Sequence, residues 1–175
     1  MTTKSTNFKE KMTAELTNFI QSQARGLSPA DLNRLIVDLP ALRERSTKIP
    51  SETYPYLSDQ LEFLSLVVKD QVAGLNRDLT AQTVAESAFA LLYFQNTTDL
   101  IPDSIPGLGF LDDAMIVSMV LRRHDHAFKC SSYSRKLHWP ISSFEVDELL
   151  SVVSPLWVSS FLLAAKDLRL PGIDA

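Results

Sequence analysis

The segment Phe94–Met115, FQNTTDLIPDSIPGLGFLDDAM, packs two prolines, two glycines and four aspartates between long apolar runs, with no basic residue to balance them. Pro102 and Pro106 fix their own φ and push Ile101 and Ile105 away from helical backbone, so residues 99–109 must be extended or turning. Gly107 and Gly109 relax the chain where it reverses. Leu100, Ile101, Ile105, Leu108, Phe110 and Leu111 are threaded through the same stretch, and leaving so much apolar surface in water would be costly. The expectation is a stiff loop seated on a core by its aliphatic side chains. What lies on either side of it decides the fold.

Both flanks read as helices. On the N-terminal side Thr80 is placed to cap a helix carrying Val84, Ala88, Leu91, Leu92 and Phe94, and Phe89 and Tyr93 widen its apolar face toward burial on more than one side. On the C-terminal side DDAMIVSMVLRRHDHAF, residues 112–128, reads as one helix with acids at its start and arginines further along, matching the helix dipole. Further out, Phe8, Met12, Leu16, Phe19, Ile20 and Ala24 make a helical stripe that stops at Gly26. Ser28, Pro29 and Asp31 form a helix start, and that helix is expected to end near Leu39, before Pro40. A polar connection over 40–55 leads to a third helix from about Pro55 to Val72, with Gly74 as its stop. Ser142 with Glu145, then Ser154 with Pro155, mark starts near the C-terminus. No alternating run is long enough for a strand. The prediction is an all-α, single-domain bundle of about six or seven helices over residues 1–175, with the Pro/Asp loop between helices four and five.

Composition agrees with a globular chain of 175 residues, 45% hydrophobic and 22% charged. The single cysteine, Cys130, rules out an intrachain disulfide, and residues 1–16 hold no continuous apolar stretch of the secretory kind. An unprocessed, cytoplasmic protein is the expectation. Net charge is −4, which argues against a dedicated nucleic-acid binder, but the charge is unevenly spread. Residues 78–121 carry six acids and no base, whereas 122–139 carry five bases against the single acid Asp125.

The stretch Ala90–Val117, ALLYFQNTTDLIPDSIPGLGFLDDAMIV, resembles the signature of the YkvA-like family, a bacterial domain of unknown function. The likeness rests on Asp99, Leu100, Ile101, Pro102, Asp103, Ile105, Pro106, Gly109, Leu111, Asp112 and Asp113, and departs at Asn96, Thr97 and Thr98. It implies a helix–loop–helix core over 79–125; the N-terminal helices in 1–78 and the C-terminal helices in 140–175 lie outside the resemblance. It implies no activity.

Asp99 and Asp103 suit amide-binding roles in proline turns, and Asp112 and Asp113 suit the cap of the following helix. A sharper reading makes these four the oxygen ligands of Mg²⁺ or Ca²⁺, although the spacing is not that of an EF-hand. Arg122, Arg123, Lys129, Arg135 and Lys136 make a candidate anion-binding patch, or an internal partner for the acids. His126 and Cys130, four residues apart, lack the further ligands that zinc requires. No phosphate loop, nucleophile elbow, HExxH or CxxC is present, so no catalytic residue is assigned. Residues 149–165 are 17 consecutive uncharged residues, about 25 Å as a helix and short of a ~30 Å hydrocarbon core, which favours a buried helix over a spanning one. The leading expectation is a non-enzymatic module that binds another protein or itself. Peripheral membrane attachment through 149–165 and a metal-dependent enzyme built on the four aspartates are the alternatives.

Overall fold

The computed structural model describes residues 3–75, 78–96, 109–135 and 163. Its elements are six α-helices: α1 (Thr3–Arg25), α2 (Pro29–Ser46), α3 (Leu57–Val72), α4 (Ala81–Gln95), α5 (Leu111–Arg123) and α6 (Asp125–Arg135). No strand occurs among the described residues, and the protein is all-α. Residues 97–108, with Pro102, Pro106 and Gly107, and the candidate C-terminal helices over 140–175 except Leu163 lie outside the described residues.

Local chemistry sets most helix ends. Ser28 and Asp31 form a reciprocal capping box, the Asp31 carboxylate accepting from Ser28 N at 2.7 Å while Asp31 N donates to Ser28 Oγ at 3.3 Å. Thr80 Oγ1 accepts from Thr83 N at 3.1 Å and caps α4. Past α3 the chain turns through Gly74 at φ 69°, where Leu75 N donates to Asp70 O at 2.8 Å and Gly74 N to Gln71 O at 3.0 Å. This paired bonding is the Schellman closure, and it needs a residue without Cβ at the left-handed position.

Two boundaries differ from the sequence expectation. α2 does not stop before Pro40; it runs through it to Ser46. Leu35, Leu42 and Ser46 are buried at spacings of seven and four, so the second half of α2 continues the same inward face. Burial of that face outweighs the lost Pro40 hydrogen bond. Ser46 Oγ and Thr47 Oγ1 then donate to the Arg43 and Glu44 carbonyls at 2.8 and 2.7 Å, which satisfies the end of the helix. The second difference is at His124, where φ −106° and ψ 15° separate α5 from α6 in what was expected to be one helix over 112–128. Adjacent residues on a helix point about 100° apart. The bend lets Arg123 and His124 converge on one carboxylate.

The core is arranged around α4, which packs on α1, α2, α3 and α5. Its residues Thr83–Leu91 are buried except for half-buried Ala85, as the broad apolar face implied. α5 is buried over its whole first three turns, Leu111–Leu121, between α4, α1 and α3. Edge-on aromatic contacts tie the layers, Phe19 to Phe89 at 5.6 Å and Phe63 to Phe128 at 5.3 Å between centroids. Phe110 and Leu111, the last apolar residues of the Pro/Asp segment, are 6% and 3% exposed and so are seated on the core as expected.

Candidate functional site

α4 and α5 run antiparallel, and each end of the pair carries a buried polar cluster. At the loop-proximal end Asp112 and Asp113 are 0% and 1% exposed in the first turn of α5. They are not its cap: the N-cap position is Phe110, which makes no side-chain capping bond. Being buried inside the first turn, they still meet the positive end of the helix dipole. Tyr93 Oη on α4 donates to Asp112 Oδ2 at 2.9 Å. Tyr54, from the turn between α2 and α3, has its phenol pushed up to about 12, first by burial and then by the negative charges of Asp112 and Asp113. Tyr54 therefore stays a neutral donor at any ordinary pH. Arg45 of α2 lies over the Phe94 ring at 5.2 Å and donates to the Asn96 carbonyl at 3.5 Å. Asp99 and Asp103 lie outside the described residues. Among the described residues no group of three or more His, Cys, Asp or Glu converges as a metal site.

The far end is built on Glu86, a fully buried acid midway along α4. Its Oε1 accepts from Gln82 Nε2 at 2.8 Å, and its Oε2 from His124 Nε2 at 2.8 Å and Arg123 Nε at 3.2 Å. Gln21 of α1, with its carboxamide oxygen turned to the guanidinium, accepts from Arg123 Nη1 at 3.0 Å. A carboxylate only accepts, so His124 Nε2 carries a proton, and Nδ1 on the other side of the ring stands 3.2 Å from the Thr83 hydroxyl. Thr83 Oγ1 also meets Thr80 Oγ1 at 2.8 Å.

Hydroxyl, imidazole and carboxylate thus stand in the order of a nucleophile relay. The hydroxyl, however, is on a residue 1% exposed, enclosed by α4 and α5. No substrate carbonyl can reach it in this arrangement, and the network acts as a lock that pins the α5–α6 corner to the start of α4. Glu86 is the lone acid in the sequence of α4. A solitary acid on the inward face of such a helix is the signal for a buried partner, and the partners are the basic residues 37 and 38 positions on.

Three of the five candidate anion-binding side chains are described. Arg123 is engaged by Glu86, Lys129 pairs with Asp125 at 2.8 Å on the exposed face of α6, and Arg122 is exposed. The Arg135 side chain and Lys136 lie outside what is described. Arg123 thus pairs with Glu86 of α4. His126 and Cys130 share an exposed face of α6, Nδ1 and Sγ 3.9 Å apart.

A different feature is open to solvent. α2 and α3 border a groove of about 510 Å³, floored by Leu42 and Leu61 and walled by Ile36, Leu39, Pro40 and Leu66. Arg43, Glu62 and Lys69 stand along it, Arg43 reaching Glu62 at 3.7 Å. Leu66, on the α3 wall, is 36% exposed. Among the described residues no helix is long and apolar enough to cross a membrane; residues 149–162, 164 and 165 are outside them.

No curated protein and no solved structure matches the chain. What does match is a stretch of 37 residues, 83–119, which is similar to a family described as a protein of unknown function (DUF1232) and which spans α4, the Pro/Asp segment and most of α5, including Glu86, Tyr93, Asp112 and Asp113.

Proposed function

We propose that this chain is a helical protein-binding module that takes an amphipathic helix of another protein into the groove between α2 and α3. One observation carries the reading: a groove of about 510 Å³ that carries an aliphatic strip of Ile36, Leu39, Pro40, Leu42, Leu61 and Leu66 between polar edges, with Leu66 36% exposed. Apolar grooves between helices receive the apolar stripe of a partner helix at i, i+3, i+4 and i+7. The rim selects the charge of the occupant. Glu62 is already met by Arg43, and Lys69 has no ion-pair partner among the described residues, so the surplus along the groove is positive. An acid-flanked helix is therefore the better guest. The YkvA-like reading of residues 90–117 is compatible with this and supplies no activity of its own. The membrane reading rests on residues 149–165 and the metal-enzyme reading on Asp99, Asp103, Asp112 and Asp113; Asp99, Asp103 and all of 149–165 but Leu163 lie outside the described residues, and Asp112 and Asp113 meet no third ligand-type residue in a group among the described ones.

A fluorescein-labelled model peptide with a leucine stripe and glutamate flanks tests the reading by anisotropy against the whole chain. Saturable binding is expected, weakened at least about tenfold by Leu66→Glu and by replacing the glutamates with lysines. Leu66 is 36% exposed, so the substitution leaves the helix pair folded, and circular dichroism verifies it. Binding that ignores both changes would sink the proposal.

A further inference from the structure

The guest proposed for the groove between α2 and α3 has two marks, an aliphatic stripe at helical spacing and flanking acids, and the chain itself carries a stretch with both. Val146, Leu149, Leu150 and Val153 stand at i, i+3, i+4 and i+7. At about 100° per helical residue these four share one face, Glu145 and Asp147 fall at its two edges, and Glu148 and Ser151 fall opposite. Ser142 and Glu145, three apart, supply a capping box for such a helix. Residues 141–165 contain these three acids and no base. The stretch lies outside the described residues, so this much is sequence pattern alone.

Two described features connect it to the groove. The first is position. α6 lies against α3, Phe128 meeting Phe63 edge-on at 5.3 Å between centroids, and Phe63 adjoins Glu62, which lines the groove. The two sides of α3 are separated by about one helix diameter, 10–12 Å, and Arg135 stands about 10 Å along α6 from Phe128. Residues 136–141, when extended, cover about 20 Å, enough to round α3. The second feature is charge. Arg43 already meets Glu62 at 3.7 Å, and Lys69 has no ion-pair partner among the described residues, so the rim suits a stretch with three acids and no base. We infer, resting on the groove as a helix-binding site, that residues 142–153 occupy it in their own chain, so that a partner helix must displace them. Held by so short a connection at an effective concentration of about 1 mM, an occupant with an intrinsic Kd of about 0.1 mM weakens the partner's apparent affinity about tenfold.

Two measurements on the whole chain test this, one of them independent of any partner. In a chain carrying Cys130→Ser and Ser151→Cys, a nitroxide on the polar side of the stretch is expected to broaden the amide resonances of residues 36–43 and 61–69. The broadening should persist on about tenfold dilution, as a contact within one chain requires, and Leu66→Glu should abolish it. In the anisotropy assay with the glutamate-flanked leucine peptide, Leu149→Glu combined with Val153→Glu is expected to lower the peptide Kd about tenfold. Asp147→Lys combined with Glu148→Lys, which leaves the stripe intact and guards against a misfolded variant, should lower it in the same direction. Broadening that is absent, fades on dilution or survives Leu66→Glu overturns the inference. A saturable peptide Kd unchanged in both double variants also overturns it and leaves the groove as a site for other proteins. Persistent, Leu66-dependent broadening with no peptide binding in any variant upholds it and removes the foreign helix as guest.

Discussion

Glu86 shows how much one residue can settle. An unpaired carboxylate inside a helical core would be expelled or protonated, so a fully buried acid implies partners, and here Gln82, Arg123 and His124 supply three charge-assisted bonds. Truncation to Glu86→Ala leaves Arg123 and His124 facing an emptied site. Arg123 retains 33% exposure and can turn to water, so the expected loss is about 2–4 kcal/mol, below the upper end for a sealed pair. Glu86→Gln, which keeps the shape and removes the charge, should cost about half as much. Urea midpoints at constant m read both, and equal losses would mean that the charge alone holds the corner. Tyr54 offers a second measurement at this scale. Its phenol ionises at about 12 in the folded chain against 10.0 ordinarily. Between those values the unfolded chain gives up the proton while the native one keeps it, so the native state binds more protons and stability falls as pH rises. The contribution is whole below pH 10 and is lost through pH 12, a total of about 2–3 kcal/mol. Wild type should lose that much more than Tyr54→Phe across this window in denaturant titrations, and parallel curves would refute the burial of the phenol beside Asp112 and Asp113.

Single helices were legible from sequence wherever a local signal fixed them, and illegible where a distant contact overruled it. Ser28 with Asp31, Thr80 and Gly74 mark their boundaries correctly because capping and the left-handed turn are settled within a few residues. Pro40 misleads because its local penalty is real but smaller than the gain from burying Leu42 beyond it. His124 misleads in the opposite sense: nothing near it breaks a helix, and the bend exists because Glu86 of α4 draws both Arg123 and His124. The aspartates divide in the same way. Their placement at the start of α5 was readable from the dipole pattern, whereas the Tyr93 hydroxyl that meets Asp112 comes from 19 residues earlier and has no linear signature. Pro40 yields a direct test. Pro40→Ala restores the N–H for the Ile36 carbonyl inside an already helical segment, which should raise stability by about 1–2 kcal/mol after allowing for the more flexible unfolded chain. A fall in Tm on that substitution would mean that the ring's packing along the groove outweighs the missing hydrogen bond.

At the scale of the molecule, the order of burial predicts the order of opening. α5 is enclosed along Leu111–Leu121 by α4, α1 and α3, and α4 is in turn enclosed by α1, α2, α3 and α5, so neither can be exposed without dismantling the rest. α6 has a different standing: it packs on α5, anchors through Phe128, and presents His126, Lys129 and Cys130 to solvent. Its helix also contains Asp125 bonded to Lys129 on the exposed side, an interaction worth only a few tenths of a kcal/mol. Amide exchange should therefore split the chain into two classes. Protons of Met115–Val120 and Ala88–Leu91 should exchange only through global unfolding, with protection that falls in step with added denaturant. Those of α6 beyond Phe128 should exchange through local opening, nearly independent of denaturant. Peptide-resolved hydrogen exchange distinguishes these regimes by slope. Should the α5 amides open locally as α6 does, the antiparallel pair would be a late addition to the core, and the two polar clusters would have to be read as surface features drawn in by packing.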